Sequence, residues 1–170
     1  MLYEWSPFAS HLTPGTSTAP LRASGYRFAT FICYEDILPR IVRRIVDDHG
    51  EGRANALVNL TNDSWYGAGH EQEQHLMLAG IRSIEHRRWL LRSTSTGISA
   101  FVDATGRIVQ RIPADTRGVA LAKVPMLRGT TPYEVLGDWP GFVSCVVLAA
   151  LAIRELARRR STVWKASGQR

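Results

Sequence analysis

The sequence predicts an α/β layered fold followed by one apolar C-terminal helix. Two stretches in which a buried strand leads into an amphipathic helix predict the layers. An uncharged run, 139-WPGFVSCVVLAALAI-153, predicts the final helix. At 170 residues and 45% hydrophobic content the chain can bury a core, and one domain is the natural expectation.

Residues 1–26 are rich in Pro, Ser, Thr and Gly and predict mostly loop. Their start, MLYEWSPFASHLTPG, has no basic region before an apolar one, so it is not a signal peptide and reads like the middle of a domain. Arg27 to Ile32 predicts a strand that buries Phe28, Phe31 and Ile32. From Ile37 the period changes. Ile37, Ile41 and Ile45 recur every four residues, as do Leu38, Val42 and Val46, while Arg40, Arg43, Arg44, Asp47 and Asp48 fill the other face. Pro39 is tolerated only in a first turn, which sets the helix start near Asp36, and Gly50 and Gly52 end it. A second strand, 54-ANALVNL-60, leads into the polar turn 61-TNDSWYGAG-69. Glu71 to Arg88 is the longest helical pattern, with Ile81 and Ile84 on the inner face beside Met77 or Leu78. Strands at Trp89–Ser93 and Ile98–Val102 flank the turn 94-TSTG-97, and 103-DATG-106 turns into the alternating strand 107-RIVQRI-112. A last strand is expected at 118-GVALAKV-124.

The net charge of +6 is concentrated at one end. From Arg154 onward six basic residues oppose Glu155 alone, which leaves about +1 for everything before them. A general nucleic-acid face is therefore not expected. The uncharged run is shorter than the roughly 20 residues of a full bilayer crossing, but Trp139 at one end and arginines at the other are the flanks of a membrane helix. Leu156 and Ala157 extend it if Arg154 snorkels. A buried C-terminal helix of a soluble domain is the other reading. The expected organisation is a catalytic portion over 1–137, a transmembrane helix over 138–157 and a basic tail over 158–170. Cys33 and Cys145 are the two cysteines, placed too differently to form a disulfide. No Cys/His spacing calls for a metal, and no cofactor is expected.

The segment 27-RFATFICYED-36 holds the main site candidate. Cys33 ends a strand just before a helix, where α/β sheets place their ligands and where the N–H of Tyr34 can face an oxyanion. A helix N-terminus favours a thiolate, whereas the neighbouring carboxylates Glu35 and Asp36 oppose one. Nucleophile and small buried strand residue both remain open from position alone. Asp36 is accounted for as an acidic residue in a first helical turn; Glu35 is that or a group orienting a substrate amine. His70 and His86 fall at helix ends and read as solvated, and His75 reads as structural. Trp65 and Tyr66 follow a strand, where aromatics line a pocket or cover the core.

The ordered segments F-I-C-Y-E-D, A-L-V-N-L-T-N-D-S-W-Y-G, R-S-I-E-H-R-R-W-L-L-R-S-T-S-T-G-I-S-A-F-V-D-A-T-G and T-P-Y-E-V-L-G-D-W-P are more specific than any one of them. Together they resemble the C-terminal half of the nitrilase-type domain of the bacterial apolipoprotein N-acyltransferase family, within the carbon–nitrogen hydrolase superfamily. The resemblance runs from about Tyr3 to Ile153. It implies part of an αββα sandwich that faces the periplasm, anchored in the cell inner membrane, with the C-terminus cytoplasmic. It also implies a Glu–Lys–Cys catalytic set. The cysteine takes an acyl chain from a phospholipid as a thioester and passes it to the α-amino group of the lipid-modified cysteine of an apolipoprotein. Cys33 matches the nucleophile, Tyr34 and Glu35 the needed neighbours, and Trp65 the aromatic of the turn.

The family's general-base Glu and its Lys lie upstream of the matched region. Lys123 and Lys165, the only lysines here, match neither. The chain is thus expected to be a truncated product, a split protein or the result of a misplaced start codon, inactive alone without the N-terminal half. A soluble amidase of the nitrilase superfamily and a non-catalytic membrane-associated fragment are the alternatives.

Overall fold

The structure is a computed structural model that describes residues 15–47, 52–67 and 69–167. It divides into two compact units, Met1–Thr131 and Pro132–Arg170. The expected loop over residues 1–14 and the stop signal at Gly50 lie outside the described residues.

The first unit is a six-stranded sheet with helices on one face. Its strands follow chain order: β1 (Leu21–Ala23), β2 (Tyr26–Ile32), β3 (Ala56–Thr61), β4 (Leu90–Thr94), β5 (Ser99–Val102) and β6 (Ile108–Ile112). β2, β3 and β4 run parallel, and every other neighbouring pair is antiparallel. Parallel neighbours need a crossover. Helix α1 (Pro39–Val46) supplies it between β2 and β3, and α2 (Glu71–His86) supplies it between β3 and β4. Pro39 opens α1, where its missing N–H costs nothing. That helix was expected to start near Asp36, but Asp36 and Ile37 instead close a separate 3-10 turn, Cys33–Ile37.

The core forms where Ala29, Phe31, Leu57, Leu90, Ala100 and Val102 from the sheet meet Val42, Ile45, Val46, Leu76 and Ala79 from the helices. Register explains the choice: Ala29 pairs with Leu57 and Leu57 with Leu90, so these residues share one face. The opposite face carries Phe28, Val58, Leu91 and Phe101, and at its end Ile32 pairs with Leu60. Ile32 is 65% exposed and Leu60 48%. Ile32 was expected in the core; one step of strand parity after Phe31 sends it to the uncovered side.

Three further expectations are corrected. The short β1, paired with β2, falls in a stretch expected to be loop. The 118–124 segment is extended, with Ala120, Ala122 and Val124 half-buried between exposed neighbours, but it joins no ladder. Its period is that of a strand, yet it crosses near the uncovered face, where Gly118 to Ala120 line a cavity of ≈ 540 Å³ with Val58, Leu91 and Phe101. Finally, α2 turns its polar side inward: Gln72, His75, Arg82, Ser83 and His86 are buried, while Met77, Leu78, Ile81 and Ile84 are exposed. The sheet beneath it presents Asn59, Thr61 and Arg92. Polar partners there outweigh the apolar stripe that periodicity favoured.

The second unit holds α3 (Pro132–Leu136) and the 29-residue α4 (Trp139–Ser167). Its Trp139–Leu156 portion is long and apolar enough to cross a membrane, and none of that stretch is buried.

Candidate active site

Cys33 stands at the carboxyl end of β2, half-buried, with φ of 49°. A non-glycine residue in the left-handed region costs about 1–3 kcal/mol and persists only where its surroundings enforce it. The surroundings here do so from both sides. The Ile32 N–H donates to Glu35 Oε2 at 2.7 Å, closing the turn over the cysteine. Asn59 Nδ2 donates to the Cys33 carbonyl at 3.2 Å from β3. The result is a strand-to-turn elbow whose thiol sits at the sheet's carboxyl edge. Glu35 is therefore tied to the elbow backbone, and Tyr34 is 54% exposed beside it.

Beneath the elbow lies a buried charge cluster that sequence reasoning missed. The Arg92 guanidinium donates to Asp36 Oδ2 at 2.7 Å, to Asn59 Oδ1 at 2.5 Å and to Asp63 Oδ2 at 3.0 Å. His75 Nε2 lies 3.0 Å from Asp36 Oδ1, and its Nδ1 lies 3.0 Å from both Asp63 Oδ1 and Arg92 Nη2. Thr61 Oγ1 donates to Asp63 Oδ1 at 3.0 Å. Asp36, expected as a helix-end charge, is fully buried instead, because the Arg92 guanidinium from β4 and the His75 ring from α2 hold it. His86, expected in solvent, is also fully buried, and His70 is exposed as expected. One available signal was Arg92 itself, a cation inside L-L-R-S-T on the same strand parity as Leu90.

The cluster joins two loops. Asp36 belongs to the Cys33 turn, and Asp63 precedes the 3-10 turn Ser64–Tyr66 that carries Trp65. Trp65 is 88% exposed, whereas Tyr66 packs its ring edge-on to His75 with centroids 5.8 Å apart. Tyr34 reaches the same imidazole at 5.9 Å. Partial burial raises the Tyr66 hydroxyl above its ordinary pKa of 10.0, with Tyr34, Asp63, Cys33 and Asp36 adding to the shift. Tyr66 thus stays a neutral hydroxyl beside the thiol at neutral pH. A third loop closes in at Gly97, where a Cβ would collide with the Asp63 carboxylate. Thr96 Oγ1 in that loop donates to Asn62 Oδ1 at 3.1 Å. Among the described residues no group of His, Cys, Asp and Glu is arranged to hold a metal ion.

The carbon-nitrogen hydrolase family model matches residues 5–132, three-quarters of the chain. The chain belongs to the carbon-nitrogen hydrolase family. Within it, similarity runs to proteins named apolipoprotein N-acyltransferase. The one from Pseudomonas aeruginosa is 33% identical over 150 residues, 86% of this chain and 28% of the relative. Those of Azotobacter vinelandii and Photobacterium profundum are 35% and 38% identical, over 89% and 83% of this chain and 28% and 26% of theirs. The chain therefore spans little more than a quarter of the length of these relatives. Among solved structures, a carbon-nitrogen hydrolase from Helicobacter pylori G27 superposes with a TM-score of 0.50 at 17% identity, over 61% of this chain and 42% of that one. That likeness concerns the fold, and it makes this sheet a nitrilase-type one.

Proposed function

We propose that this chain supplies the nucleophile-bearing sheet of an apolipoprotein N-acyltransferase, with Cys33 as the acyl carrier. The observation that carries the reading is the left-handed elbow at Cys33, held by Glu35 and Asn59 at the edge where α/β sheets act. The names of its relatives support the reaction class.

In the first half-reaction the Cys33 thiolate attacks the ester carbonyl of a phospholipid. A thioester forms and the lysophospholipid alkoxide leaves with a proton. In the second, the free α-amino group of an apolipoprotein's lipid-modified cysteine attacks the thioester. The amide forms, the amine loses its proton, and the thiolate leaves, ready to react again. Glu35 acts as a positioning residue through its bond to Ile32 N–H, Tyr34 supplies a backbone N–H beside the oxyanion, and Trp65 offers an exposed ring to lipid or peptide. The base and the cation that this cycle needs come from a second sheet carrying a Glu and a Lys. The uncovered apolar face of this sheet, with Ile32 and Leu60 both exposed, is where such a sheet would pack. The α4 stretch Trp139–Leu156 then spans the inner membrane, with the arginine-rich tail cytoplasmic and Cys33 periplasmic.

Intact-mass spectrometry of the chain in phospholipid membranes tests this directly. A palmitoyl-sized adduct on Cys33 is expected when a Glu- and Lys-bearing segment from a relative is co-expressed, and none with Cys33→Ala. An adduct on the chain alone overturns the need for a second sheet. No adduct under either condition overturns the acyl-carrier role.

A further inference from the structure

The amino ends of the parallel strands, at the far side of the sheet from the thiol, carry a cationic cleft of ≈ 800 Å³. Arg27 is the second residue of β2, and Cys33 follows that strand's end, so roughly 20 Å of strand separates the two. Among the described residues, five arginines line the cleft, Arg22, Arg27, Arg53, Arg88 and Arg128, and Asp47 is the one acid. Two of them have structural duties. Arg88 donates to the carbonyls of Ala54 and Gly129, and Arg53 pairs with Asp47 at 3.4 Å.

Arg27 and Arg128 are different. Among the described residues neither guanidinium has a hydrogen-bond or ion-pair partner, although Arg27 is half-buried. The fold makes room for it: Gly52 has φ of 93°, and a Cβ there would stand 2.7 Å from Arg27 Nη1. A half-buried cation seated on a glycine, among four others of its own sign, is a costly arrangement unless an anion neutralises it. Guanidinium forks match the oxygens of a phosphate in paired hydrogen bonds. The cleft has room for a phosphate that carries an organic substituent.

We propose that this cleft binds a phosphate ester, borne by a lipid headgroup or by a soluble molecule, with Arg27 and Arg128 as its free forks. The lipid source rests on the membrane reading above; the anion site does not, and Cys33 takes no part in it.

Isothermal titration calorimetry on the full chain in non-ionic detergent tests it with two probes, glycerol 3-phosphate and micelles doped with phosphatidylglycerol, at constant ionic strength set by chloride. Saturable binding of at least one probe is expected, weakened about tenfold or more in Arg27→Gln/Arg128→Gln. Binding of the doped micelles alone assigns a headgroup; binding of glycerol 3-phosphate as well assigns a soluble ester. Arg128→Gln alone, in an exposed segment, should weaken binding with an unchanged circular dichroism spectrum, which separates ligand loss from misfolding. Cys33→Ala should bind like the parent, so a failed acyl-transfer reading leaves this result standing. The proposal is overturned if neither probe binds saturably, or if the double variant binds as the parent does.

Discussion

Replacing Arg92 by methionine is expected to cost about 3–5 kcal/mol, a large share of the stability of a domain this size. Methionine matches the volume but brings no charge, so Asp36 and Asp63 remain fully buried with only His75 between them. Asn59 also loses the donor to its Oδ1, and with it the bond that orients its amide toward the Cys33 carbonyl. Arg92→Lys should recover part of the loss, since one ammonium cannot reach Asp36, Asn59 and Asp63 together as the fork does. Urea unfolding midpoints for the three proteins read the order. Equal midpoints for Arg92→Met and the parent would mean the cluster contributes nothing net.

Leu60→Asp is expected to leave the isolated α/β unit nearly as stable as before and to abolish its assembly with a Glu- and Lys-bearing sheet. Leu60 is 48% exposed and outside the core cluster, and substitutions at such positions usually change stability little. Packed against a second sheet, the same carboxylate would be buried without a partner. Association should weaken by about 100-fold or more, measured by co-purification of the two segments, and the Cys33 adduct should disappear with it. Assembly that survives the substitution would place the second sheet elsewhere.

Local chemistry made most of the architecture legible. The change from period two to a four-residue recurrence after Ile32 marked β2 and α1, Gly106 marked the β5–β6 turn, and the charge-free run marked α4. Cys33 was legible as a candidate because its strand ends there. The buried cluster was not legible. Asp36, Asp63, His75 and Arg92 are spread over 57 positions, and only the pairing of Asn59 with both Phe31 and Arg92 brings them together. The same blindness misoriented α2: its apolar stripe is the stronger periodic signal, but the polar side holds partners that appear only once β3 and β4 are paired. The extended 118–124 segment failed for a related reason, since alternation records which side is half-buried and says nothing about whether a ladder partner exists.

The clamp on the Cys33 elbow has a consequence in time. Arg92 lies 56 residues after Asp36 and acts through a strand that must first dock beside β3. Loop closure over that distance precedes any reward from the contact. The reactive geometry is therefore a late product of folding, and a nascent or partly folded chain carries an ordinary flexible cysteine at this position. Pulse alkylation during refolding, on a Cys145→Ala background, should find the labelling rate at Cys33 changing only with the final phase.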